Sequence, residues 1–189
     1  MKKILFVGEQ NKFRKGKIVK KITMIFIALI LTFGVGDFSF AEVEDGLIAY
    51  YPLDGKGGTQ VGSVSFVVGK VGQAASFDGN GYLDLGQIYT VNNQDFSISL
   101  WVMFKDNSHD NQFLCNGTLG DQHYFSLTYA NSETKKLRMI TFDGSADNFY
   151  SKNNYNLNQW YHIVYTRSGN QGQVFINGAW ENSDDVRGG

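Results

Sequence analysis

The chain has 189 residues, with 17 basic and 18 acidic side chains, 15% aromatic residues, one proline and one cysteine. This length suits one ordinary domain rather than two, and a single cysteine excludes an internal disulfide or a cysteine-based metal cluster. Residues 1–41 hold eight basic and two acidic residues, whereas the remainder holds nine and sixteen. The acidic remainder argues against a nucleic-acid partner, which would need clustered lysine and arginine.

The first 41 residues are predicted to form a signal peptide with a helical apolar segment. A basic stretch ending at Lys20-Lys21 precedes the uncharged apolar run ITMIFIALILTFGVG at 22–36. As a helix this run would be about 22 Å long, shorter than the roughly 30 Å hydrocarbon core of a bilayer. Small residues in Ser39-Phe40-Ala41 favour cleavage after Ala41. We therefore expect a mature chain, 42–189, that is secreted or held in the cell envelope, with membrane contact only through the signal segment during export. The alternative is an uncleaved membrane anchor.

Beyond residue 41 the sequence predicts short β-strands and no helix. Alternation at period two is clearest in FSISLWVMF at 96–104, where every second residue is apolar. Further strands are predicted, in chain order, at 46–51, 64–68, 74–77, 82–85, 112–115, 124–129, 137–142, 160–166 and 173–177. Their connections are rich in Gly, Asn and Asp, which favour turns; we expect a reversal at 78–81 and a type I′ hairpin at Asn177-Gly178, with the next strand beginning at Ala179. This pattern predicts an all-β antiparallel sandwich or jelly roll.

Five landmarks in this part of the chain carry a resemblance to a known family. They are GLIAYYPLDG (46–55), VGQAASFDGNGYLDLG (71–86), DFSISLWVMF (95–104), QWYHIVYT (159–166) and GQVFING (172–178). In this order they resemble the laminin G-like jelly-roll domain of the concanavalin A-like lectin/glucanase superfamily. The resemblance implies a two-sheet antiparallel jelly roll that binds glycans or proteins and often carries calcium. Because such domains continue with further strands after the Asn-Gly hairpin, we expect the domain at 42–189 to be a fragment, truncated at its C-terminus.

Catalysis is not predicted from the residues. His162 lies among aromatic residues in a predicted strand, and no nucleophile or metalloprotease motif accompanies it, so we interpret it as structural. Glycoside hydrolysis would need two carboxylates facing each other about 5–9.5 Å apart. The Glu-x-Asp-x-x-Glu arrangement of the related glucanases is absent, and none of the four glutamates after residue 41 lies inside a predicted strand.

Calcium is the cofactor that the resemblance implies. This ion takes six to eight oxygen ligands, commonly from loops. Asp78 lies in the glycine-rich segment FDGNG, and Asp121 lies in LGDQHYF, where pentraxin-like members of the superfamily place an acidic loop. Those members complete the site with later acids that this chain lacks. For Asp78 the alternative is a turn residue that bonds to its own backbone.

Exposed aromatic residues beside polar loops are the candidates for sugar binding. Tyr150, Tyr155 and Trp180 lie in or next to such loops, whereas Trp101 and Trp160 lie on predicted strands and are assigned to the core. We interpret the chain as an exported, non-catalytic binding module for carbohydrate or another cell-surface ligand. One alternative is a protein–protein adhesion or envelope-scaffold module, and a second is a fragment of a glycoside-active enzyme.

Overall fold

A computed structural model describes residues 47–86, 95–116, 124–130, 135–142 and 146–185. The predicted signal peptide at 1–41 lies outside these residues. Along the described ranges, no helix is long and apolar enough to cross a membrane.

Ten β-strands make up the regular structure of the described residues. They are β1 (Thr59–Val68), β2 (Gln73–Asp84), β3 (Phe96–Met103), β4 (Asn111–Asn116), β5 (Tyr124–Tyr129), β6 (Leu137–Phe142), β7 (Ala146–Tyr150), β8 (Trp160–Ser168), β9 (Gln171–Ile176) and β10 (Ala179–Asp185). Antiparallel pairing gives one four-stranded sheet in the order β10-β9-β8-β3, another in the order β4-β5-β6-β7, and the two-stranded sheet β1-β2. The predicted all-β antiparallel sandwich is confirmed.

The two four-stranded sheets pack face to face through aromatic side chains. Because side chains alternate across a strand, each sheet turns one apolar row inward. Tyr165 of β8 contacts Phe125 of β5, with ring centroids 5.0 Å apart. Near the other end of the core, the ring of Phe104 stacks on Tyr129 at 4.2 Å. These contacts join the two sheets into one core, which also takes in buried residues of β2 such as Leu83.

The hairpins that follow β8 and β9 use two-residue turns. Ser168 pairs with Gln171 across the first turn, and Ile176 pairs with Ala179 across the second. In the second turn Asn177 has φ 51° and Gly178 has φ 81°, as a type I′ turn requires. The predicted hairpin, and the start of the next strand at Ala179, are confirmed.

The reversal expected at residues 78–81 is wrong, because β2 runs straight through it. Gly81 faces Gly62 of β1, and the register shifts between Gly62 and Val64. Gly62 has φ 71°, and a Cβ at that position would lie 2.1 Å from the carbonyl oxygen of Asn80. The glycines therefore permit a close approach at a β-bulge inside a long ribbon. The two predicted strands 74–77 and 82–85 are one strand.

Two further differences concern the first predicted strand and β7. Residues 47–51 form no strand, although the hydroxyl of Tyr51 donates to the carbonyl of Leu85 at 3.2 Å. β7 was not predicted, because its sequence ADNFY has a single large apolar residue, Phe149, and shows no alternation. Its place in the sheet is set by pairing with β6 and by burial of that ring.

Candidate functional site

The outward side of the β4-β5-β6-β7 sheet carries two cross-strand rows in which most of the side chains are polar. Residues directly opposite each other in an antiparallel pair project from the same face. The first row is Gln112, Thr128, Arg138 and Tyr150, and the second is Cys115, Ser126, Ile140 and Asn148. The intervening inward row is apolar and lies in the core, with Leu127, Met139 and Phe149. We call these two outward rows the polar face.

The polar face has a buried floor and a more open side. Ser126 and Thr128 on the central strand β5 are buried, whereas Tyr150 at the β7 side has 38% of its surface exposed and Asn148 is exposed. On the β4 side, Gln112 donates from Nε2 to the hydroxyl of Tyr124. The sheet therefore presents an accessible aromatic ring beside hydrogen-bonding groups that lie deeper.

An ion pair anchors the guanidinium group on this face. Nη2 of Arg138 lies 2.5 Å from Oδ2 of Asp110, with the two side chains 24% and 40% exposed. Within the described part of the chain, buried Nε of Arg138 has no hydrogen-bond acceptor, and buried Oγ of Ser126 has no partner. Buried polar atoms are nearly always hydrogen-bonded in folded proteins. These two atoms are exceptions to that rule within the described residues, and both lie in the buried floor of the polar face.

The seam between β7 and β10 is closed by hydrogen bonds rather than by strand pairing. Buried Glu181 accepts from the backbone N–H of Asn153 at 2.7 Å and from its Nδ2 at 2.9 Å. Next to it, Nδ2 of Asn182 donates to the carbonyl of Tyr150 at 2.7 Å. These bonds fix the backbone that carries Tyr150 at the margin of the polar face.

Glu181 is also the one glutamate within the described residues. Its protonation state therefore decides whether it could serve as the general acid of glycoside hydrolysis. Burial by itself raises the pKa of Glu181, but hydrogen bonds, led by those from Asn153, together outweigh it, and the pKa lies below its ordinary value. A general acid for glycoside hydrolysis needs a raised pKa. Glu181 therefore stays ionised, and its role is to hold the seam.

The three predicted sugar contacts occupy different environments. Tyr150 belongs to the polar face. Trp180 is 51% exposed but projects from β10 beside Phe175, and the ammonium of Lys152 lies 4.1 Å from the centre of its ring. Tyr155 is only 6% exposed and packs edge-on against Tyr161. A ring so enclosed offers no open face on which a sugar could stack.

The predicted calcium ligands are not brought together by the described residues. Oδ1 of Asp78 accepts from the backbone N–H of Asn80 at 2.8 Å. That bond, followed by one from Ser63, lowers the pKa of Asp78. Asp121 lies outside the described residues. In the described ranges no three His, Cys, Asp or Glu side chains are grouped in a way that could hold a metal ion.

His162 lies on the outward side of the other sheet and is held by its neighbours. Its Nε2 shares a hydrogen bond with Oγ of Ser99 at 2.8 Å, and its ring lies 5.1 Å from that of Trp101. Its backbone N–H donates to Oδ1 of Asn177 in the hairpin. This geometry agrees with a structural role. Trp101 and Trp160, assigned to the core from the sequence, are half-buried on the outward side of their strands.

Sequence reasoning missed most of the polar face. It identified Tyr150 but not Arg138, Ser126, Gln112 or Asn148. A signal was present in YFSLTY, where Ser126 and Thr128 stand two positions apart in an otherwise largely apolar strand. Cross-strand register was needed to place these residues side by side.

Comparison with known proteins supplies a family. Residues 77–189 match the sequence model of the family Laminin_G_3, described as concanavalin A-like lectin/glucanases superfamily. No curated protein sequence matches the chain.

Solved structures with similar folds have been found as well. Domain 4 of AbnA, a GH43 extracellular arabinanase from Geobacillus stearothermophilus in complex with arabinotriose, has a TM-score of 0.56 and 23% identity over 70% of this chain and 68% of that chain. An S-layer domain-containing protein from Clostridium thermocellum has a TM-score of 0.38 and 26% identity over 70% of this chain and 63% of that chain. The first likeness agrees with the sandwich described above. With its family model matched over residues 77–189, the chain belongs to the Laminin_G_3 family of the concanavalin A-like lectin/glucanases superfamily.

Proposed function

We propose that the chain is a non-catalytic module that binds carbohydrate on its polar face. The observation that carries the proposal is the row formed by Gln112, Thr128, Arg138 and Tyr150, which combines an accessible aromatic ring with several hydrogen-bonding side chains. Sugars present both kinds of surface, because their rings have apolar C–H faces and their edges carry hydroxyl groups.

The chemistry of the row suits a hydroxyl-rich ligand. An aromatic ring gives a large contact area at low entropic cost, because few torsions are frozen on binding. The guanidinium of Arg138 supplies donors in a fixed plane, and hydroxyl groups such as that of Ser126 both donate and accept. The Arg138 side chain is 24% exposed and the Tyr150 ring 38%, so both can reach a sugar lying on this face.

Family membership and fold support this assignment. The arabinanase domain with a similar sandwich was determined in complex with arabinotriose and belongs to an extracellular enzyme. We propose that this chain likewise acts outside the cell or in the envelope, after export by its N-terminal segment. Calcium at Asp78 and Asp121 stays a prediction, since the second of these residues lies outside the described part.

The non-catalytic part of the proposal rests on Glu181. Its two oxygens are engaged by Asn153, and although burial raises the pKa of Glu181, the hydrogen bonds to the carboxylate, led by those from Asn153, lower it overall. On the polar face itself Asp110 is the nearby carboxylate, and it is paired with Arg138. A fragment of a glycoside-active enzyme would need a facing acid and base, which the described residues of this face do not provide.

A protein-adhesion role is favoured by one separate observation. Strand β1 exposes Val61, Val67 and Val68, the last at 88% of its surface. Exposed apolar strands can pair with another chain. We rank this second because the polar face combines an accessible aromatic ring with hydrogen-bonding groups in register, whereas β1 exposes valines interspersed with small polar residues.

The test is titration calorimetry with arabinotriose, supported by a glycan array. We expect Tyr150→Ala to weaken the affinity about tenfold or more, which corresponds to about 1.4 kcal/mol. Tyr150→Phe, which keeps the ring, should retain most of the affinity. Trp180→Ala is the matched control, because it removes a more exposed aromatic ring from the other sheet. Binding that is lost in Trp180→Ala and unchanged in Tyr150→Ala would refute the assignment, as would no binding to any glycan.

A further inference from the structure

We propose that Asp110 makes the polar face selective for neutral sugars over acidic ones. This inference rests on the proposed function and adds the charge class of its ligand. It assigns a specificity-determining role to Asp110, whose carboxylate acts through Arg138.

The charge balance on the polar face is the first step. Arg138 is the one cation among the described side chains of the two rows, and its Nη2 lies 2.5 Å from Oδ2 of Asp110. A charge-assisted hydrogen bond of this length is among the stronger polar contacts in proteins. The pair therefore has no net charge, and the side chains of both residues are partly exposed.

Donor geometry is the second step. Nη2 is committed to Asp110, whereas Nε is buried with no acceptor among the described residues. The guanidinium carries further N–H donors, and the Arg138 side chain is 24% exposed, so a sugar hydroxyl can accept from its exposed part without disturbing the ion pair. The carboxylate of a uronic acid would either have to displace Asp110 from Arg138 or lie beside it as a second negative charge. Like charges brought together in this way oppose binding and so set specificity.

Replacing Asp110 with asparagine separates charge from shape. The Asp110→Asn substitution keeps a planar side chain of the same size but removes the negative charge, so the charge of Arg138 becomes available to a ligand carboxylate. The same substitution removes the ion pair that positions the guanidinium of Arg138, so we expect it to weaken the binding of neutral sugars slightly. A purely structural role for Asp110 would lower affinity for both sugar classes alike.

The experiment measures affinities by calorimetry for three probes: arabinotriose, α-1,4-linked galactotriose and α-1,4-linked trigalacturonate. The last two share ring and linkage and differ in carrying a hydroxymethyl group or a carboxylate. Wild type should prefer its neutral ligand over trigalacturonate by about tenfold or more. Asp110→Asn should shift this preference toward trigalacturonate by about tenfold, and the gained affinity should fall when salt is raised, because charge–charge attraction is screened.

Three variants serve as controls. Arg138→Gln and the double variant Asp110→Asn/Arg138→Gln should bind trigalacturonate no better than wild type does, because the cation is gone. Lys152→Gln removes a nearby exposed cation outside the two rows and should leave the preference unchanged. Thermal melting of each variant checks that it is folded.

The outcomes separate this inference from the proposed function. Tyr150-dependent binding of a neutral sugar, with an unchanged preference in Asp110→Asn, would overturn the inference and leave the proposed function intact. If wild type binds trigalacturonate at least as tightly as the neutral sugars, the inference is overturned and the proposed function is left intact. Failure of wild type and Asp110→Asn to bind any of the three probes would overturn the inference, and the absence of any bound glycan on the array would overturn the proposed function as well.

Discussion

The outward faces of the two four-stranded sheets differ in how their polar groups are paired. On the β10-β9-β8-β3 sheet, Ser99 bonds to His162, and the ammonium of Lys70 lies 5.4 Å from the centre of the Trp101 ring. On the polar face, Ser126 and Arg138 each keep a buried polar atom without a partner among the described residues. Leaving such atoms unpaired costs free energy. We interpret the first face as scaffold, and the second, where the ring of Tyr150 and the side chain of Arg138 are partly exposed, as the one suited to receive a ligand.

The largest effect on stability is expected from a comparison of the two sides of strand β5. Phe125 points into the core and contacts Phe96 and Tyr165, whereas its neighbour Ser126 points to the polar face. We expect Phe125→Ala to lower the free energy of unfolding by about 3–5 kcal/mol, because it opens a cavity. Ser126→Ala removes a buried hydroxyl with no partner in the described ranges, so it should leave the free energy of unfolding unchanged or raise it by up to about 1 kcal/mol.

Urea unfolding of both variants, followed by calorimetry of Ser126→Ala with the ligand, provides the measurement. A Ser126→Ala variant that keeps its stability and loses affinity for the ligand would show that the outward side of β5 serves binding and not the core. A loss of stability in Ser126→Ala as large as that in Phe125→Ala would mean that this face serves as core.

An intermediate effect is expected at the seam beside the polar face. Glu181→Gln should lower the free energy of unfolding at pH 7 by about 1–3 kcal/mol, because a buried charged hydrogen bond to Asn153 is lost. The pKa of Glu181 is lowered in the fold, so its ionisation adds stability above about pH 4.5 and this contribution is lost as the pH falls through the folded pKa.

A pH series of urea unfolding for wild type and Glu181→Gln tests this. The stability difference should be full at pH 7 and shrink below about pH 4.5. A difference that is constant from pH 7 to pH 3 would show that the ionised carboxylate is not what holds the seam.

The smallest effect is expected on the scaffold face. Ser99→Ala removes one exposed hydrogen bond to His162, so it should cost about 0.5–1 kcal/mol of unfolding free energy. Its affinity for the ligand should equal that of wild type by calorimetry, because the polar face is on the other sheet. A Ser99→Ala variant that folds but no longer binds would move the ligand site to the β10-β9-β8-β3 sheet.

Local patterns in the sequence were enough to predict elements whose signal lies in adjacent residues. The alternation in FSISLWVMF located β3, and Asn177-Gly178 located the last hairpin, because both signals are read from adjacent residues. The ribbon β1-β2 was misread at 78–81, since glycine serves a bulge as well as a turn. Only the opposing Gly62 distinguishes the two cases, and it lies far away in the sequence.

The candidate site was less accessible to sequence reasoning for the same physical reason. Tyr150 was identified because it stands beside polar residues along the chain. Its neighbours Arg138 and Thr128 come from separate strands and become neighbours through register alone. Tyr155, three residues from Lys152, has an equally polar local sequence, yet packing against Tyr161 removes it from the surface.

The order of the strands also has a consequence for how the chain folds. The four strands that bear the polar face follow one another along the chain, as do β8, β9 and β10, so each group can form by local contacts. Pairing of β3 with β8, in contrast, joins residues such as Trp101 and His162 across the whole polar-face segment. Because closure of a long loop costs entropy before contacts repay it, we expect this pairing to limit the folding rate. Lengthening a loop within the polar-face sheet should then slow folding more than it changes equilibrium stability.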